Sequence, residues 1–252
     1  MPSAALRGIS RSLRTYHGNA ERSARMAAMY GRFLQQGSLA FDVGAHVGDR
    51  VTCFRSLGAS VVAVEPQPMP ARVLRMIHGR DPHVTLVEAA CGTGPGTLRL
   101  HINEANPTVS TGSTAFVRAA NGARGWEGQD WNQTADVAMV SLDQLISDLG
   151  MPDFVKIDVE GFEADVLNGL SHAPPALSFE FTMIQRDVAH ACLARLTELG
   201  EYRFHLSLGE THRFTTQMTE TADEMSARID TLPHTANSGD VYAVLANADT
   251  VQ

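Results

Sequence analysis

The sequence predicts an α/β protein built on an open, mostly parallel sheet with helices on both faces. Three observations carry that expectation. Short apolar runs alternate with helical stretches along most of the 252 residues, the pattern left by repeated strand–helix units. The first apolar run passes directly into a glycine turn, FDVGAHVG, where such a sheet binds its ligands. No internal repeat or break in composition divides the chain, which is long enough for one continuous core.

Residues 38–43 form the first expected strand and 47–57 the helix that follows, ended by Gly58-Ala59. The β-branched run SVVAV at 60–64 is the second strand. A helix is expected at 72–79, a strand at 84–88 and an additional strand at 97–102. Residues 104–135 then break the rhythm, being rich in Asn, Gly, Ser and Thr and carrying both tryptophans, Trp126 and Trp131. An irregular connection of this length inside a domain is functional or disordered, and the aromatics favour an ordered role, either an acceptor wall with Ser110, Thr111, Gly112 and Ser113 or ordinary loop packing. Strands resume at 137–140, and Ser141 with Gln144 has capping-box spacing for a helix at 143–149. A strand at 153–158, a helix at 162–170, the strand ALSFEF at 176–181 and a helix at 188–199 follow. The last strands, 202–207 and 241–245, form an antiparallel pair. Between them, 209–239 is polar with helical content at 219–230, a second candidate cover.

The organisation expected is an N-terminal extension, 1–36, on one domain, 37–252. The extension carries Arg7, Arg11, Arg14, Arg22, Arg25 and Arg32 against one acid, Glu21. A helical extension packed on the domain is preferred over a targeting peptide. Elsewhere acids dominate, for a net charge of −8, which argues against nucleic acid as the main partner. No apolar run approaches the roughly 20 residues that span a bilayer. Cys53, Cys91 and Cys192 show neither metal spacing nor a disulfide framework, so a cytoplasmic location is expected.

The chemistry concentrates at strand ends. Asp42, Gly44 and Gly48 lie where the first strand turns into its helix, in the form D-x-G-x-x-x-G and without the G-x-G-x-x-G of a pyrophosphate cradle. The second strand ends in Glu65-Pro66, about twenty residues after Gly44, the interval at which a carboxylate grips a ribose. Adenosine without pyrophosphate then suits the site. Asp42 would repel phosphate and attract an ammonium or a sulfonium, which favours S-adenosylmethionine over NAD.

The stretch KIDVEGFE, 156–163, puts four charges at the edge of a core and contains the only lysine of the chain. Lys156 and Asp158 are two apart and share a strand face, so Lys156 is expected to pair with Asp158 or with Glu180. Glu163 suits the start of a helix. His46, His101, His205 and His234 are noted as possible bases, and none is assigned.

With FDVGAHVG, VVAVEPQP, VSLDQL, KIDVEGFEADVLNGL and Glu180 in SFEF together, the chain resembles the FkbM family of S-adenosylmethionine-dependent methyltransferases over about 38–246. The resemblance implies a Rossmann-like seven-stranded methyltransferase sheet with an antiparallel terminal strand. It also implies O-methylation of a hydroxyl on a small acceptor, a sugar or secondary metabolite. Carried onto this sequence, Asp42, Gly44, Ala45, His46 (where the family usually has Asn) and Gly48 surround the methionine portion and ribose. Glu65 holds the ribose hydroxyls, Pro66 shapes the adenine edge, and Glu88, Ala89 and Ala90 lie near adenine. Asp158 stands near the methyl group as leading base, with Glu180 as its neighbour. A Mg²⁺ variant held by Asp158, Glu160 and Glu180 is admitted, but no metal is assigned. An NAD-dependent oxidoreductase on a similar sheet and a non-catalytic binding protein with this fold remain the alternatives.

Overall fold

The computed structural model describes residues 3–246. The expected extension and domain also include 1–2 and 247–252, which lie outside the described residues. Two helices open the chain, α1 (Ala4–His17) and α2 (Ala20–Tyr30), capped by Ser3 and Asn19, whose side chains accept from Leu6 N and Arg22 N. The alternation then begins with β1 (Leu39–Val43), α3 (Asp49–Ser56), β2 (Ser60–Val64), α4 (Pro68–His78) and β3 (Val84–Val87). Next come β4 (Ala90–Cys91), β5 (Gly96–Ile102), α5 (Thr114–Ala120), β6 (Gln133–Val140) and α6 (Leu142–Leu149). The remaining elements are β7 (Phe154–Ile157), α7 (Glu163–Asn168), β8 (Ala176–Thr182), α8 (Arg186–Leu199), β9 (Tyr202–Leu208), α9 (Ala222–Thr231) and β10 (Ser238–Leu245).

Seven strands form the main sheet in the order β3-β2-β1-β7-β8-β10-β9, and β10 runs antiparallel to both β8 and β9. This is the Rossmann-like seven-stranded arrangement, with an antiparallel terminal strand, expected from the sequence. Its strand order reverses between β1 and β7, and the crevice at that reversal is where open α/β sheets take ligands. The central strands are buried on both faces, as parallel strands covered by helices must be. Phe41, Val43, Val155, Ile157, Leu177 and Phe179 point to the face packed by α6 to α9. Ala40, Ala63, Phe154, Ala176 and Tyr242 point to the other, under Tyr30, Phe33 and Phe54. The period of two in the sequence becomes two cores.

The sequence did not separate the extra strands into a sheet of their own. β4, β6 and β5 form a second, three-stranded sheet. The 104–135 stretch is more regular than expected, because Ser113 caps α5 and β6 begins at Gln133. Within 209–239, Thr221 and Glu224 form a reciprocal capping box that starts α9. Ser141 caps α6 through Gln144 N, but the Gln144 side chain donates to Asp148 instead of returning to close the box. Among the described residues, no helix is long and apolar enough to cross a membrane.

Candidate active site

A cleft of about 850 Å³, including its open mouth, lies over the carboxyl ends of β1, β2, β7 and β8. Its floor begins at Gly44, with φ +86°. A side chain there would overlap the Asp158 carbonyl oxygen, so only glycine lets the exits of β1 and β7 touch. Glu65, 3% exposed, closes the next strand end. Its Oε2 accepts from His46 N at 2.9 Å and its Oε1 from Gln67 N at 2.7 Å. Burial pushes this carboxyl up to about 7 despite those donors. His46 has φ +47° and meets the Tyr16 ring edge-on at 5.8 Å. Both its ring nitrogens are buried without a hydrogen-bond partner, and burial lowers its pKa to about 4.

Across the cleft, KIDVEGFE leaves β7 and turns sharply. Lys156 is fully buried, and its Nζ lies 2.6 Å from Asp240 Oδ1 on β10 and 3.4 Å from Asp158 Oδ2. Arg50 Nη2 lies 3.1 Å from the same Asp158 oxygen. Burial alone would push Asp158 up, but Lys156 and Arg50 outweigh it and hold the carboxyl below its ordinary range. Glu160 follows with φ +54°, and its carbonyl accepts from Thr111 Oγ1 at 2.7 Å, which ties the turn to 108–112. Glu163 accepts from Val159 N and Gly161 N, closing the turn from the first residue of α7. Glu180 reaches in from β8. Burial first, and the Asp158 charge second, drive Glu160 and Glu180 well above the ordinary carboxyl range.

The roof comes from the chain's beginning and from the 209–211 turn. Tyr16 of α1 lines the cleft, as does Glu210. Arg22 of α2 donates to Asp49 Oδ2 at 2.7 Å and to Glu210 Oε2 at 2.6 Å, which ties α2, α3 and this turn together. The hydrogen bond from His212, then Arg50 and Arg22, hold Glu210 low against the effect of its burial.

Residues 42–225 match the model of the methyltransferase FkbM domain. The chain belongs to the FkbM methyltransferase family. It is 27% identical over 159 residues to the hexuronic acid methyltransferase AglP of Haloferax volcanii, covering 61% of this chain. The match spans 59% of the length of that relative. Among solved structures, precorrin-6Y C5,15-methyltransferase from Geobacter metallireducens aligns with TM-score 0.45 and 14% identity, over 87% of this chain and 86% of that one. Fibrillarin from Aeropyrum pernix, in complex with S-adenosyl-L-methionine, aligns with TM-score 0.43 and 11% identity, over 83% and 67%.

Of the residues that the FkbM resemblance and the strand ends nominated, Gly44, His46, Glu65, Pro66, Ala89, Ala90, Asp158 and Glu180 line the cleft together. Asp42, Ala45, Gly48 and Glu88 are not on its wall. Asp42 is fully buried inside the sheet, one residue short of the cleft-lining Val43 and beside Lys156 in register, and burial raises it to about 7. Ala45 packs in the core with Val51 and Phe54. Gly48 is required by packing, since a side chain there would press on Leu74 and His78 of α4. Glu88 is half-exposed and pairs with Arg75. Of the two readings of the tryptophans, the structure shows loop packing. Trp126 and Trp131 pack edge-on to Phe116 at 5.0 and 6.1 Å, while Ser110, Thr111 and Gly112 do line the cleft. Lys156 takes Asp240 as its second partner where Glu180 was the alternative.

The sequence reading missed Tyr16, Arg50, Gln67 and Glu210. Arg50 carried a signal. A cation in the first turn of a helix opposes the helix dipole, so it calls for a nearby carboxylate. Tyr16 and Glu210 carried none, because long-range packing alone brings them over the sheet.

Proposed function

We propose that the protein is an S-adenosylmethionine-dependent methyltransferase acting on a hydroxyl of a sugar-type acceptor. One observation carries this reading. Glu65, placed for a ribose, and the carboxylates Asp158 and Glu180, placed for chemistry, face one cleft at the strand reversal. The fit to an adenosine is supported by Glu65, whose two oxygens each take one backbone donor and keep lone pairs for a diol. S-adenosylmethionine, when bound, supplies an electrophilic methyl group for in-line displacement.

The chain's residues then have separate tasks. Arg50 and Lys156 keep Asp158 ionised and fixed in direction, which makes it a weak base and a strong hydrogen-bond acceptor for the hydroxyl. Glu180, which lies beside Asp158 and has no ion pair of its own, takes the hydroxyl proton in its ionised form. Asp158 thereby orients and Glu180 accepts, a division of labour set by environment. Tyr16 and Glu210 shield the site from above, which helps to hold the acceptor in line. The sugar-type acceptor rests on the name of the haloarchaeal relative.

Calorimetry with S-adenosylmethionine and with NAD tests the cofactor, and labelled methyl transfer to uronic-acid and neutral glycans tests the acceptor. Binding of NAD with none of S-adenosylmethionine overturns the reading in favour of an oxidoreductase.

A further inference from the structure

Among the described residues three acids of the cleft have no ion pair: Glu65, whose two oxygens each take a backbone donor, and Glu160 and Glu180. Asp158 Oδ2 has Arg50 and Lys156, and Glu210 has Arg22. Among the described residues neither Glu160 nor Glu180 has an ion pair, and Oε2 of each is buried without a hydrogen-bond partner. Glu160 is only 6% exposed, yet it lines the cleft. Leaving such a group unpartnered is costly unless it is neutralised or bound. One carboxylate oxygen from each of Asp158, Glu160 and Glu180 lies within 4.8 Å of the others. Two oxygens bound to one hard cation at about 2.1–2.4 Å can be no more than roughly 4.2–4.8 Å apart, so this spacing admits a single ion between them.

We propose that Asp158, Glu160 and Glu180 hold one hard divalent cation of the Mg²⁺ or Mn²⁺ type, which the acceptor hydroxyl joins as a further ligand. The charge balance supports it: a dication compensates the two carboxylates that Arg50 and Lys156 leave uncompensated. Three protein oxygens also leave coordination positions for water and acceptor oxygens, as such ions require. The positions of the ligands are fixed from outside the cluster. Lys156 and Arg50 grip Asp158 Oδ2, Thr111 holds the Glu160 carbonyl, and Glu180 belongs to a central strand. A bound cation acidifies the coordinated hydroxyl, and the non-ligating oxygen of Glu180 remains to receive its proton. The inference deepens the methyltransferase reading, because it concerns the same cleft and acceptor.

The test is titration of the chelator-stripped full chain with MnCl₂ and MgCl₂ by calorimetry, with free Mn²⁺ followed by electron paramagnetic resonance. The expected result is one saturable Mn²⁺ per chain, displaced by Mg²⁺. Glu160→Gln and Glu180→Gln should each weaken it at least tenfold while circular dichroism stays unchanged, and Asp136→Asn on the exposed edge of β6 should leave it alone. Absence of saturable uptake, or unchanged affinity in the two folded glutamine variants, overturns the site. Uptake of glucosamine in its place also overturns it, in favour of an ammonium-bearing acceptor. S-adenosylmethionine binding is measured in parallel. Loss of the ion with that binding intact counts against the cation alone, and the converse counts against the methyltransferase reading alone.

Discussion

Replacing Lys156 by methionine removes one charge from a fully buried position while nearly conserving side-chain volume. It leaves Asp158 and Asp240 inside the protein with one cation fewer. Breaking a buried pair in this way costs about 3–5 kcal/mol, chiefly because a carboxylate is left uncompensated. Unfolding entropy of about 2.1 cal/mol/K per residue gives this chain roughly 0.5 kcal/mol per kelvin, so the melting temperature should fall by about 6–10 °C. The loss depends on pH in a defined window. Lys156 is raised above 10.5 by Asp158 and Asp240 against its burial, so its contribution is full below that value and disappears above the folded pKa. Asp158 is depressed below 3.8, so its share is full above that value and fades as pH falls through the folded pKa. Near neutral pH both are fully present. Scanning calorimetry of wild type, Lys156→Met and Lys156→Met with Asp240→Asn reads the effect, and the double variant should recover part of the loss. A single variant that melts within about 2 °C of wild type, or a double variant no better than the single, refutes the account.

Glu180→Gln should lower single-turnover methyl transfer by about 10²–10⁴ with cofactor affinity retained, and Asp158→Asn should both slow transfer and lower stability. If Asp158→Asn alone removes activity, the two roles are reversed. Glu65 begins near 7 when the cleft is empty, and a diol donating to it favours the ionised form. Cofactor affinity should therefore rise as pH passes through 7, with proton release on binding that calorimetry in buffers of different ionisation enthalpy detects. Glu65→Gln should abolish that release. Arg22→Leu unties α2 from Asp49 and Glu210, so it should raise the acceptor KM more than it lowers kcat, as steady-state kinetics would report.

The parts of the fold that were legible are those written in short-range patterns. The alternating apolar runs mark β1, β2, β7 and β8, because a strand buried on both faces must be apolar throughout. Gly44 and Glu65 were legible as strand-end residues with a spacing. The structure adds the reason for Gly44: it is needed by the approach of the Asp158 carbonyl, a contact between segments 114 positions apart. Asp42 lies inside the sheet beside Lys156, one residue short of the cleft wall, and motif position does not reveal that depth. The small sheet of β4, β5 and β6 was hidden, since strand propensity says nothing about partners.

KIDVEGFE shows the boundary most clearly. By itself the sequence determined that charges stand at the end of a buried strand, that Lys156 and Asp158 share a face, and that the family is the FkbM one. Tertiary structure decided what those charges do. It brought Arg50 and Asp240 to Lys156 and Asp158, set Glu160 and Glu180 close together without an ion pair of their own, and put Tyr16 of α1 and Glu210 on the cleft wall. Side-chain periodicity is a local property and can be read along a chain, whereas the ionisation and partnering of a buried carboxylate depend on groups that only folding brings within a few ångströms.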